Sequence, residues 1–169
     1  MQTLDEQEAI LNADLELAKE GLRDDRNWYV TPHGHLMTII LGPVEFTMGT
    51  DPELLSVNER LTDDGEHPMR IGRSWAISTI ETSQPQFKKF RPSQTVHPVL
   101  NPDPTAAQTS LQWYDAAKYC RWLSEQEAVE EDQMCYPALD QIKSGMKYPK
   151  SYLTRTGYRL PSELDSSSP

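Results

Sequence analysis

Cysteine is scarce: two thiols in 169 residues cannot build a disulfide framework or a four-thiolate zinc site. The redox compartment is left open. Long apolar runs are missing as well. The longest, Leu36 to Leu41 with Thr38 inside it, falls far short of the roughly 20 residues that span a bilayer. The first 25 residues are acidic rather than signal-like, so a soluble cytoplasmic protein is expected. Basic residues are few, 16 against 26 acidic, for a formal charge of -10. Phosphate backbones or anionic lipid would need a strongly localised basic patch, and none stands out, so neither nucleic acid nor membrane is expected as a partner. Gly-x-x-x-x-Gly-Lys-Ser/Thr, Gly-x-Gly-x-x-Gly and Gly-x-Ser-x-Gly do not occur, which removes support for nucleotide binding and serine hydrolysis.

What is present suits one domain. Thirteen prolines and a mean hydropathy of -0.67 point to much loop. Leu4, Leu11, Leu15, Ala18 and Leu22 share a helical face, giving an amphipathic helix or linker over 1–27 that offers a surface to a protein partner. Leu36-Met-Thr-Ile-Ile-Leu41 and Val44-Glu-Phe-Thr-Met48, joined by Gly42-Pro43, read as a β-hairpin. Ile71 and Trp75 to Ile80 suggest one or two further strands. Pro85 to Phe90 reads as a short helix ending at Pro92. The prolines at 92, 98, 102 and 104 make the following stretch extended. Trp113, Ala116, Ala117, Cys120, Leu123 and Ala128 form the clearest helical stripe, with Thr109 and Gln112 as a capping box. Residues 138–155 show no firm period.

Few constellations carry chemistry. His33-Gly-His35 offers two imidazoles where a metal site needs three or four converging ligands. His67 and His97 each precede a proline and read as loop side chains. Glu59, Asp63, Asp64 and Glu66 cluster without calcium-loop spacing. Cys120 sits on an apolar helix stripe, where a thiol behaves as a small hydrophobe; Cys135 lies fifteen residues on, and a bridge between the two is unexpected in the cytosol. No catalytic, cofactor-binding or metal-binding residue is assigned.

The order of several segments says more. Gly42-Pro-Val-Glu-Phe-Thr-Met-Gly49, Glu66-His-Pro-Met-Arg-Ile71, Glu81-Thr-Ser-Gln-Pro-Gln-Phe87 with Phe90, His97-Pro-Val99, Trp113-Tyr-Asp-Ala-Ala-Lys-Tyr-Cys-Arg-Trp-Leu-Ser124 and Gly157-Tyr-Arg-Leu-Pro-Ser-Glu163 resemble, in sequence order, the formylglycine-generating enzyme, or sulfatase-modifying factor, family. The resemblance covers about 28–163 and leaves 164–169 as a disordered tail. It implies an α+β, C-type-lectin-like fold, incomplete here and rich in irregular loops.

The family's activity is oxygen-dependent oxidation of a substrate cysteine to formylglycine, with a C-terminal cysteine pair binding copper(I) and calcium sites in the same region. This chain has Leu164-Asp165 where the family continues Ala-Glu-Trp-Glu. The resemblance therefore implies an N-terminal part without the oxidase chemistry, with no copper or calcium expected in this chain. Cys120 belongs to the helix motif and does not inherit the copper-ligand role. A noncatalytic lectin-like interaction module is the alternative reading, and a related nonheme iron sulfoxide-forming oxygenase is the second. If the absent half normally covers the sheet and the Trp113 helix, the chain should expose apolar surface and form a homo-oligomer.

Overall fold

The computed structural model describes residues 26–49, 66–95, 103 and 105–162. The expected N-terminal helix up to residue 25, the acidic positions Glu59, Asp63 and Asp64, the His97-Pro-Val99 segment and the 164–169 tail lie outside the described residues. Five strands and two helices follow in the order β1 (Trp28–Val30), β2 (Leu36–Ile40), β3 (Val44–Met48), β4 (His67–Ile71), β5 (Trp75–Ser78), α1 (Gln84–Phe90) and α2 (Trp113–Gln126). Single 3-10 turns at Glu131–Gln133, Leu139–Gln141 and Tyr152–Thr154 are the regular structure in the remainder, as expected from its lack of period. No helix among the described residues is long and apolar enough to cross a membrane.

The expected β2–β3 hairpin does not form. β2 pairs with β1 and β5 in a three-stranded antiparallel sheet, and β3 pairs with β4 in a separate ladder. Ile40 faces Trp75 and Val44 faces Ile71, four residues further along each strand. The register thus carries across the interruption without slippage. β3 therefore keeps the register of β2, and β4 that of β5, although the two pairs belong to separate sheets. Gly42 does not take the positive φ that a two-residue hairpin turn demands. Its role is close approach: a Cβ there would lie 2.2 Å from the Arg73 carbonyl. The Gly42 N–H donates to Ser74 Oγ at 3.0 Å. In the ladder, Val44, Phe46 and Met48 are half-buried while Glu45 and Thr47 are exposed, the period of two that a one-sided ribbon requires.

Helix α1 begins one residue before the expected Pro85. Ser83 and Gln86 close a reciprocal capping box, with Gln86 N–H donating to Ser83 Oγ and Ser83 N–H donating to Gln86 Oε1 at 2.8 Å. Pro85 sits in the first turn, where its missing N–H costs nothing. The capping box expected on α2 is absent: Gln112 is the N-cap and makes no side-chain cap bond. The predicted stripe also shifts. Ala117, Cys120 and Leu123 are buried, Trp113 remains 44 % exposed, and Ala128 lies beyond the helix end at φ 53°.

Two apolar clusters meet on α2. One holds Ala117, Cys120, Cys135, Tyr136 and Ile142; the other holds Phe87, Tyr119 and Leu123. Tyr158 packs against both. The irregular chain after α2 is pinned by polar contacts. Buried Arg121 donates from Nε to Glu125 at 2.7 Å, from Nη2 to Glu131 at 2.7 Å and from Nη1 to the Tyr136 carbonyl at 2.9 Å. Ser124 Oγ accepts from the Tyr158 N–H at 2.8 Å and donates to the Cys120 carbonyl at 3.1 Å. Gly157 N–H donates to the Gln133 carbonyl at 3.0 Å, an approach that leaves a Cβ only 2.8 Å from that oxygen.

Candidate functional site

The His33-Gly-His35 pair forms the turn between β1 and β2, with Gly34 at φ +84°. The two imidazoles do not converge. His35 is 4 % exposed, and its Nε2 is hydrogen-bonded to Tyr119 Oη at 2.8 Å. Its backbone N–H donates to Thr31 Oγ1 at 3.1 Å. His33 instead meets Trp122 edge-on, 5.1 Å between centroids. Helix α1 completes the clasp: Gln86 Nε2 donates to the Gly34 carbonyl and Lys89 Nζ to the His33 carbonyl at 3.2 Å. Burial, assisted by His33 and Lys89, holds the His35 pKa down at about 4, so a neutral ring is locked into an aromatic stack at pH 7. Burial and Lys89 also lower His33. Gln86, Tyr119 and Trp122 were invisible as partners in the sequence because each is distant along the chain. No group of three His, Cys, Asp or Glu side chains among the described residues could hold a metal ion.

Both cysteines are free and buried. Cys120 is pushed up to about 12, first by burial and then by Cys135. Burial also raises Cys135, whose Sγ donates to the Gly157 carbonyl at 3.0 Å and lies 3.4 Å from the Tyr152 carbonyl. Carbonyl oxygens around a sulfur favour S–H and oppose thiolate. His67 opens β4 opposite Met48, and Glu66 is exposed just before it; neither joins the histidine turn.

A cleft of about 240 Å³ opens between the 81–82 and 107–111 segments and α2, with Gln108, Tyr119, Cys120 and Leu160 among its lining residues. Gln108 Oε1 is buried there without a hydrogen-bond partner. Tyr119 is tied to His35, its phenol raised well above the ordinary value by burial. A further polar contact escaped the sequence: Tyr158 Oη donates to the Glu127 carboxylate, 2.9 Å from Oε1 and 3.0 Å from Oε2, while burial raises that carboxyl's pKa.

A family model described as the sulfatase-modifying factor enzyme 1-like domain matches residues 29–167. The chain belongs to this family. No curated protein and no solved structure matches it. In the sulfatase-modifying factor helix Trp113 to Ser124, Tyr119 holds the histidine turn, Cys120 fills a core cluster, Arg121 clasps the following loop and Ser124 receives Tyr158. The Gly157-Tyr158 step supplies the backbone approach and a core aromatic. The described residues form a small α+β arrangement of two helices and antiparallel sheets.

The copper(I) site that the family implies does not fit these two thiols. A soft linear site needs two accessible thiolates. Here one thiol is buried with its ionisation suppressed, and the other faces backbone carbonyls.

Proposed function

We propose that this chain supplies a scaffold of the formylglycine-generating type, lectin-like in its loop-rich build, and does not oxidise cysteine through Cys120 or Cys135. The observation that carries this reading is the burial of both thiols, with ionisation disfavoured at each. The chain then works as a binding module, presenting surfaces held by α2. The iron-oxygenase alternative finds no support in His33 and His35, whose rings are taken by Trp122 and Tyr119.

Competition for copper(I) against a chromophoric chelator, together with mass spectrometry of a Cys-x-Pro-x-Arg peptide under oxygen, tests this. The expected result is no stoichiometric copper(I) retention and an unmodified peptide thiol. One tightly held cuprous ion and oxygen-dependent peptide oxidation, both abolished in Cys120→Ala or Cys135→Ala, would overturn it.

A further inference from the structure

The charge of the chain is unevenly distributed. Residues 141–162 hold five of its 16 basic residues, Lys143, Lys147, Lys150, Arg155 and Arg159, and none of its 26 acidic ones. Arg155 is committed to the Met134 carbonyl and Arg159 to the Leu160 carbonyl. The three lysines are exposed and make no ion pair among the described residues.

The same segment builds an aromatic platform. Tyr148 and Tyr152 stack with centroids 4.4 Å apart and planes at 26°. Tyr148 also meets Trp113 at 6.3 Å and Tyr136 at 6.1 Å. Tyr136 is only 2 % exposed, and its hydroxyl accepts the Leu160 N–H at 3.2 Å, which anchors the array. Trp113 and Tyr148 stay 44 % and 43 % exposed. Large aromatics left this wet on a rigid base are available for stacking.

We propose that this surface binds single-stranded nucleic acid, with bases stacked on Trp113 and Tyr148 and phosphates met by Lys143, Lys147 and Lys150. Stacking platforms bordered by cations are how single strands are held without sequence readout. Trp113 and Tyr148 do not line the 240 Å³ cleft; they are large rings about half exposed. Lysines act as point charges toward phosphate. The formal charge of -10 opposes long-range attraction, so the contact is local and strongest at low salt.

Fluorescence anisotropy of a labelled oligothymidylate about twelve nucleotides long, titrated with the full chain at low salt, tests the proposal. Binding should weaken with salt at a log–log slope of about -2, for three phosphate contacts on a single strand. Tyr148→Ala should weaken it about fivefold or more. Because that variant also touches Tyr136, the exposed-site pair Lys147→Gln/Lys150→Gln provides a second reading, with a shallower salt slope and an unchanged circular dichroism spectrum. No anisotropy change at low salt, or affinity unaltered in both variants, overturns the proposal. Equal binding of a labelled polyglutamate peptide also overturns it and assigns the surface to acidic protein segments.

Discussion

Replacing Arg121 by Met tests whether the loop after α2 is held by a guanidinium clasp. The Arg121 side chain is 6 % exposed, whereas Glu125 is 33 % and Glu131 is 76 % exposed. Methionine keeps most of the aliphatic volume and deletes every polar contact. The two carboxylates can rehydrate, so the variant does not strand a buried charge, and the full cost of about 3–5 kcal/mol for a broken buried pair is not reached. What remains is the loss of charge-assisted bonds and a buried Tyr136 carbonyl left without its donor, together about 2–3 kcal/mol. Urea melts followed by circular dichroism should show this, and thermal melts should show a Tm lowered by roughly 4–12 °C, at about 2–4 °C per kcal/mol. A cycle with Glu131→Gln sharpens the test. That change alone should cost about 1 kcal/mol or less, being largely exposed, and should cost almost nothing once Met replaces Arg121. A single Arg121→Met variant within about 0.5 kcal/mol of the parent, or full additivity in the cycle, would refute the clasp.

Three other outcomes are expected. Gly157→Ala places a Cβ 2.8 Å from the Gln133 carbonyl and should destabilise by about 1–3 kcal/mol in urea melts; an unchanged midpoint would show that the backbone approach is dispensable. His35 is a base whose folded pKa, about 4, lies below its ordinary 6.5, so the unfolded chain takes up the proton first and stability falls as pH drops from 6.5 to 4. The loss should reach roughly 2–3 kcal/mol, and His35→Gln should flatten that window relative to the parent; parallel curves would rule the residue out as the cause. The thiols at Cys120 and Cys135 should resist a chromogenic disulfide reagent in the native protein and release two equivalents in denaturant; rapid native labelling would contradict their burial.

The two helices were legible because their signals are local. The Phe87 and Phe90 spacing, Pro85 in a first turn, and the Ala117, Cys120 and Leu123 stripe each fall within one element. The ribbon was not. Gly42-Pro43 looks like a hairpin turn in a sequence window, and only the pairing of Val44 with Ile71 and Ile40 with Trp75 reveals that the register continues through it. The Ser83–Gln86 capping box was present in the sequence and was overlooked in favour of Thr109 and Gln112. Tyr119 and Arg121 were hidden for another reason. Both are polar by type, so a stripe drawn from aliphatic residues passes them by, although each is buried with a distant partner, His35 and Glu131. The docking role of the histidine turn depends on residues from two helices, Gln86 and Lys89 on one and Tyr119 and Trp122 on the other, none of them near it in sequence. The basic segment was missed because the sum of charges over the whole chain conceals it.

The uninterrupted register on both sides of Gly42 and Arg73 makes the lengths of two separate crossings interdependent. One residue inserted between Ile40 and Val44 would turn Phe46 outward and Glu45 inward unless the return crossing, Gly72 to Ser74, lengthened with it. Descendants of this sequence should therefore gain or lose residues at the ribbon's waist only in matched pairs.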